Sequence, residues 1–251
     1  MILITAKQHF DEDFRRAIAL LSHAKRLPVG ELKDDVLRSA WMVGVGASDA
    51  FFCDAYADLV SRTLRAKEIQ KSGVIPDRLG NLSIPAVAVL DASSSWRWRM
   101  AARSIIEKQS VLSLAEVKKF LNIFCRDNHK LLQAKSMGAW IVHSDAMGRN
   151  FGVSASEYRA MTPQQKTKTN EKALDKFSSR MQGIFQRRHD CIHNCDRPKI
   201  AIQRINEITT EKSIIDVKFL VDRCTEDLRK EYPLYLAANK FNGVTRNKVS
   251  A

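Results

Sequence analysis

The chain has 251 residues, and its 45% hydrophobic and 27% charged residues are typical of a globular protein and not of a disordered one. The net charge of +13, from 41 basic and 28 acidic residues, favours a polyanionic partner, most often nucleic acid. The longest uncharged stretch, Leu79 to Leu90, is far shorter than the roughly 20 apolar residues that a membrane-spanning helix needs.

The first third of the chain predicts two helices. Residues 7–27 place apolar side chains at helical spacing. A second helix from Glu31 to about Gln70 is apolar on nearly every face, which predicts a place at the centre of a bundle. Glycine, proline and serine then mark residues 72–95 as an irregular insertion.

The middle of the chain predicts shorter elements. We expect helices over 96–108, over 113–126, where an S-x-x-E capping box begins the helix, and over 128–147. Residues 148–162 are predicted to form a loop.

Two long helices are expected in the C-terminal part. Thr162 followed by proline predicts a helix start, and this helix should end near His189. A last long helix is expected over 211–232, interrupted by Pro233 and followed by a frayed tail after Gly243. With no strand alternation and no internal repeat, the prediction is an all-α fold, and the length allows one large domain or two small ones.

One segment concentrates residue types that can do chemistry. The stretch QRRHDCIHNCDRPK, residues 186–199, holds two of the six histidines at the end of a predicted helix. In it, Arg188 is followed by a polar residue, His189, and then, after four intervening residues, by His193. Basic residues also gather here, since residues 159–251 carry 19 Lys and Arg against 11 Asp and Glu.

This segment resembles the signature of the HEPN superfamily, which is Arg, four to six residues and His, with a polar residue after the Arg. RRHDCIHN followed by DRP is most similar to the RiboL-PSP-associated branch. That branch also has a helix like DDVLRSAWMVGVGASDAFFCD, residues 34–54, with an acidic start and one internal Asp, Asp49. The resemblance implies that residues 1–251, apart from the insertion at 72–95 and the loop at 148–162, form one domain, a HEPN-type helical bundle with additional helices.

The resemblance further implies a metal-independent endoribonuclease of the toxin or antiviral-defence kind. It would act as a homodimer in which two copies of the motif meet. Three alternatives are open for what restrains it: a cognate antitoxin or other regulator protein, a modification, or an infection-triggered signal. No metal or cofactor is expected.

The residue types suit metal-independent cleavage of RNA. A histidine can move protons near neutral pH, so His193 is the candidate acid or base. A guanidinium matches phosphate oxygens, so Arg188 is the candidate transition-state stabiliser. On a continuous helix these two residues lie about 140° apart. They converge only if the helix ends between them or if a partner chain brings them together.

Four residues are candidates for supporting the site or contacting RNA: His189, Arg187, Asn194 and Asp49. His189 lies four residues before His193 and shares its helix face. Arg187 also fits the Arg-to-His spacing, and Asn194 either caps the helix or holds His193 in one tautomer. Asp49 is either paired within the protein or orients His193.

The competing interpretations are a zinc site, a binding module and a scaffold. Alternate spacing of His189, Cys191, His193 and Cys195 would direct ligands to different faces of a helix, which disfavours zinc. A non-catalytic dimeric HEPN module would bind RNA or nucleotides, and a protein scaffold would show no salt-dependent RNA binding. Five irregularly spaced cysteines indicate a reducing compartment, hence a cytoplasmic location.

Overall fold

The chain folds as a bundle of helices. The computed structural model describes residues 2–80, 94–106, 113–197 and 201–250. No strand is present in these ranges, which confirms the predicted all-α class. The helices longer than two turns, numbered in chain order, are α1 Ile4–Ala24, α2 Glu31–Ile69, α3 Ser94–Ile106, α4 Leu114–Leu121, α5 Ala134–Ile141, α6 Pro163–His193, α7 Glu207–Ala238 and α8 Gly243–Ser250.

Helix α2 lies at the centre of the bundle, where its apolar sequence predicts it. It packs against α1, α3, α6, α7 and α8. A Cβ atom at Gly44 would lie 3.0 Å from Cγ1 of Ile214 and 3.4 Å from Cβ of Ala17. Glycine at this position therefore lets α1 and α7 approach α2 closely.

Aromatic side chains fill much of the core. Phe10 of α1 meets Phe51 of α2 edge-on, with ring centroids 6.0 Å apart. Trp140 of α5 meets Phe177 of α6 in the same manner at 5.6 Å. The buried apolar side chains form one cluster that includes residues of α1 through α8, so α6 is anchored to the same core as α2.

The prediction that Pro233 interrupts the last long helix is wrong, since α7 continues to Ala238. Proline removes one backbone donor from a helix. Tyr232, Tyr235 and Leu236, however, are all buried. Their packing keeps the helix intact, because tertiary contacts outweigh local propensity.

The predicted frayed tail is also wrong, because the residues after Gly243 form α8. The side-chain oxygen of Asn242 accepts a hydrogen bond from the backbone N–H of Thr245 at 2.8 Å and so caps the helix. Val249 is buried, and its carbonyl oxygen accepts a hydrogen bond from Arg62 of α2.

Two predictions for the middle of the chain need correction. The helix expected over 128–147 is reduced to α5, because Leu132 has a φ of 55°, outside the helical region. The loop expected over 148–162 contains two short helices, Gly148–Phe151 and Ala155–Ala160.

The irregular insertion predicted for 72–95 is only partly within the described structure. A one-turn helix, Asp77–Gly80, follows a turn after α2. Residues 81–93 lie outside the described residues. The helix predicted over 96–108 corresponds to α3.

Candidate functional site

Helix α6 carries the Arg-to-His motif and ends with it. Thr162 begins the helix as predicted. Its Oγ1 accepts a hydrogen bond from the backbone N–H of Gln165, and Oε1 of Gln165 accepts one from the backbone N–H of Thr162, which forms a capping box. The predicted end near His189 is one turn too early, since α6 continues to His193.

Backbone geometry after His193 ends the helix. The N–H groups of Asn194 and Asp196 both donate to the carbonyl oxygen of Asp190, at 2.9 Å each. Cys195 and Asp196 take the left-handed conformation, with φ of 49° and 58°. Pro198, which follows this turn in the sequence, lies outside the described residues.

A buried carboxylate fastens the segment after α6 to α2. Asp196 is fully buried, and its Oδ2 accepts hydrogen bonds from Nε of Arg38 at 2.8 Å and from Nη2 of Arg187 at 2.9 Å. Arg187 also donates to the carbonyl oxygen of Arg204 at 3.0 Å and lies over the ring of Trp41 at 5.1 Å. The guanidinium of Arg187 is therefore engaged within the protein, and its contribution to the site is to hold this segment.

Arg188 has a different environment from its neighbour. It is half-buried, and its Nη2 lies 4.0 Å from where a Cβ at Gly46 of α2 would be. The Nε atoms of Arg187 and Arg188 are both buried without a hydrogen bond. Arg187, however, has the carboxylate of Asp196 as its partner, whereas no carboxylate in the described ranges pairs with Arg188. A half-buried guanidinium without a counter-ion is electrostatically costly, so the site favours an anion from outside the chain.

The two histidines of the motif form an exposed pair. The rings of His189 and His193 lie 4.4 Å apart between centroids, as residues four apart on a helix should. Both residues are exposed to solvent. The predicted sharing of one face is confirmed by this contact.

Arg188 does not share that face. Because α6 is continuous through His193, Arg188 and His193 project about 140° apart around the helix axis. The continuity of α6 therefore excludes a helix end between Arg188 and His193, which leaves a partner chain as the way in which the two side chains could converge. Within one chain, the guanidinium contacts α2 and the imidazole faces solvent.

The remaining candidates lie around this helix end. Asn194 is exposed and forms the C-terminal cap position of α6. Asp49 is half-buried on α2, one turn beyond Gly46, and its role in orienting His193 stays a prediction. Burial raises the pKa of the Cys191 thiol to about 11, so it is protonated at neutral pH and suits packing better than metal ligation.

Comparison of the chain with models of protein families, with curated proteins and with solved structures gives no match. Within the described part of the chain, no three His, Cys, Asp or Glu side chains are grouped as a metal site would require. Over the same residues, no helix combines the length and apolarity needed to cross a bilayer.

Sequence reasoning missed the partnership that positions the motif. Arg38 and Asp196 are separated by 158 positions in the chain, and no local spacing rule connects residues so far apart. The only signal is indirect: Asp196 follows the motif, and Arg38 lies in the second segment that resembles the HEPN family.

Proposed function

We propose that this chain is a metal-independent endoribonuclease of the HEPN type, of the toxin or antiviral-defence kind. His193 serves as acid or base, and Arg188 stabilises the charge of the transition state. The supporting residues are His189, which adds a second imidazole, and Arg187, which holds the segment after α6.

The observation that carries the proposal is the unpaired Arg188. A half-buried guanidinium without a described carboxylate lies one residue before His189 and five residues before His193, both of which are exposed. A structural arginine would have the kind of partner that Arg187 has in Asp196. A phosphate group is an anion that a guanidinium binds with two parallel hydrogen bonds, and the chain carries a net charge of +13.

The reaction needs three contributions. A base removes the proton from the ribose 2′-hydroxyl, whose oxygen attacks the adjacent phosphorus. The bond between phosphorus and the 5′-oxygen breaks, and an acid protonates that oxygen. A cation offsets the additional charge on the phosphorane. The products are a 2′,3′-cyclic phosphate and a 5′-hydroxyl.

In this proposal, a second copy of the chain brings a guanidinium and an imidazole to the same phosphate. The divergence of Arg188 and His193 on one α6 prevents both from reaching the same phosphate within a single chain. A symmetric dimer in which two α6 ends face each other would bring a guanidinium of one copy toward an imidazole of the other. The exposed position of His193, in the last turn of its helix, is compatible with such a contact.

The same divergence favours one alternative, a non-catalytic dimeric module that binds RNA or nucleotides. Arg188 would still bind phosphate, and the exposed histidine pair would contact the ligand without transferring protons. This module would show RNA binding that weakens with salt, because phosphate contacts release counterions, and it would leave the RNA intact.

The test is incubation of the purified chain with total RNA in EDTA. Wild-type protein should produce fragments ending in 2′,3′-cyclic phosphate, and His193→Ala should not. His23→Ala is the matched control, since His23 is also an exposed histidine in the last turn of a helix. It should cleave like the wild type.

Each other outcome has a definite meaning. If the RNA stays intact but binds in a salt-dependent manner, the chain is the non-catalytic binding module and not a ribonuclease. Intact RNA without binding would leave neither proposal standing. Cleavage by both the wild type and His193→Ala would remove His193 from the mechanism.

A further inference from the structure

A second cationic site lies on another part of the molecule. Helices α1, α2, α3 and α8 surround a pocket of about 400 Å³. The basic residues that line it are His9, Arg62, Arg65, Arg99, Arg103 and Lys248. Along the axis of α2, Asp58 lies about 18 Å from Gly46, the neighbour of Arg188, so the pocket is distinct from the motif on α6.

Helical spacing explains why these side chains converge. Thr5 and His9 are four residues apart on α1, as Arg99 and Arg103 are on α3, so each pair shares a face. On α2, a stripe at intervals of three and four residues includes Asp54, Asp58, Ser61, Arg62 and Arg65. Three helices therefore turn charged faces toward one another.

Two carboxylates hold the arginines in place without using all their hydrogen-bond donors. Arg99 places Nη2 3.6 Å from Oδ1 of Asp54 and Nη1 3.6 Å from Oδ1 of Asp58. Charge-assisted hydrogen bonds are shorter, at about 2.7–2.9 Å. Arg99 therefore has ion contacts in the described structure but no hydrogen bond, and its donors stay available to a ligand.

His9 and Arg103 complete this arrangement at Asp54. The Nδ1 atom of His9 lies 3.2 Å from Oδ2 of Asp54, and Nη1 of Arg103 lies 3.5 Å from Oδ1. Oδ1 is itself buried and has no hydrogen bond in the described structure. Asp54 thus fixes one imidazole and two guanidinium groups at the pocket wall.

The balance of charge in the pocket is strongly positive. Five Arg and Lys side chains face it, against the carboxylates of Asp54 and Asp58. Arg65 and Lys248 are exposed, and neither is paired with a carboxylate among the described residues. Arg65 and Lys248 therefore give the pocket about two positive charges that no described carboxylate offsets, and this surplus attracts anions.

We propose that this pocket binds the phosphate or pyrophosphate group of a small phosphorylated ligand. A phosphate monoester carries nearly two negative charges and several acceptor oxygens, so it matches the surplus better than a single carboxylate does. Guanidinium groups approach such oxygens from several directions here, on α2 and α3, and Lys248 adds a point charge from α8.

A small ligand suits the pocket better than an RNA strand does. Grooves that bind single-stranded nucleic acid combine cations with aromatic rings on which bases stack. Among the described residues that line this pocket, none is Phe, Tyr or Trp. The volume of about 400 Å³ lies within the range of small-molecule sites.

The test is isothermal titration calorimetry of the full chain with pyrophosphate, inorganic phosphate and AMP in separate arms. Pyrophosphate should bind saturably and more tightly than inorganic phosphate. Binding by AMP and pyrophosphate but not by inorganic phosphate would identify an esterified or linked phosphate as the ligand group. A short single-stranded RNA forms a fourth arm and should not compete with pyrophosphate.

The variant Arg65→Gln with Lys248→Gln should weaken pyrophosphate binding about tenfold, because two phosphate contacts are lost. Both residues are exposed, so the fold should persist, which circular dichroism checks. The matched control removes two exposed cations elsewhere, Arg15→Gln with Lys172→Gln, and should bind like the wild type. His193→Ala should also bind normally, which separates this site from the proposed ribonuclease.

Three outcomes overturn the proposal. The first is the absence of saturable binding by any of the three phosphate compounds. The second is equal weakening by the pocket variant and the control variant, which would indicate a general effect of net charge. The third is competition by the RNA arm, which would assign the pocket to a nucleic-acid surface.

Discussion

At the scale of single residues, two adjacent arginines illustrate how burial and partners separate a structural role from a functional one. Arg187 is nearly buried and has a carboxylate, a carbonyl oxygen and an aromatic ring as partners. Arg188 is half-buried, and no carboxylate within the described structure pairs with it. The sequence alone treats both as candidates, because both fit the spacing to His193.

Substitution of each arginine by methionine should therefore change stability in opposite directions. Arg188→Met removes a buried Nε without a partner and should raise the free energy of unfolding by about 1 kcal/mol. Arg187→Met removes one of the two guanidinium groups paired with buried Asp196, and it should lower the free energy of unfolding by about 2 kcal/mol. Urea unfolding of the two variants measures both changes.

Activity supplies the second half of this prediction. Arg188→Met should abolish RNA cleavage in spite of its greater stability, which is a frequent trade-off at functional sites. A loss of stability in Arg188→Met would show that its guanidinium has a structural role. The absence of a carboxylate partner would then no longer support a phosphate-binding role for Arg188.

At the scale of elements, the sequence predicts helices well where one face is apolar over many residues. The limits of α2 agree with the prediction within one residue, because Gly30 and Gln70 flank a long apolar run. The capping box at Thr162 likewise locates the start of α6. Errors arise where long-range contacts decide, as at Pro233, whose neighbours are buried by tertiary packing.

The candidate site shows the same division between local and distant information. The identities of Arg188, His189 and His193 and the shared face of the two histidines follow from local spacing. The continuity of α6 to His193 does not, because the segment that follows is held by Asp196, and its partner Arg38 comes from a distant helix. This contact across the fold holds the segment that follows α6, and the continuity of α6 through His193 makes Arg188 and His193 diverge.

A buried ion pair between elements makes stability depend on pH. Glu231 of α7 accepts hydrogen bonds from Arg126, in the segment after α4, at 2.6 Å from Nε, 3.0 Å from Nη2 and 3.1 Å from the backbone N–H. Burial acts to raise the pKa of Glu231, but these hydrogen bonds and the charge of Arg126 lower it overall. The folded state therefore holds the ionised form more strongly than the unfolded chain does.

The sign of the effect follows from linkage. A carboxyl whose pKa is lowered on folding contributes stability above its ordinary pKa of 4.5, and this contribution is lost as pH falls through the lowered value. Glu231→Gln should be less stable than the wild type at pH 7, and the gap should narrow below about pH 4.5. Urea midpoints at neutral and acidic pH measure the gap.

The control for this prediction is Glu211→Gln, because Glu211 forms an exposed ion pair with Lys25. Exposed pairs contribute little to stability, so this variant should follow the wild type at each pH. A difference in stability between Glu231→Gln and the wild type that stays constant from neutral to acidic pH would show that ionisation of Glu231 does not cause it.

At the scale of the whole molecule, the two proposed anion-binding sites lie in separate regions of the fold. One is the end of α6, where Arg188 and the histidine pair lie, and the other is the pocket among α1, α2, α3 and α8. Helix α2 contacts both regions, through Gly46 beside Arg188 and through Arg62 and Arg65 in the pocket. The proposals for the two places are independent, since neither uses a residue of the other.

The dependence of the proposed ribonuclease on two copies can be tested by mixing inactive variants. Arg188→Gln keeps both histidines, and His193→Ala keeps the guanidinium. If the end of α6 from each copy contributes to one site, a mixed dimer combines an intact Arg188 with an intact His193 across the interface. Unfolding and refolding the two variants together should restore part of the cleavage that each variant lacks alone. A mass label on one variant shows whether mixed dimers have formed. If they have formed and the mixture is still inactive, each copy acts through its own residues. Because Arg188 and His193 diverge on one α6, that result would exclude catalysis by the two residues together.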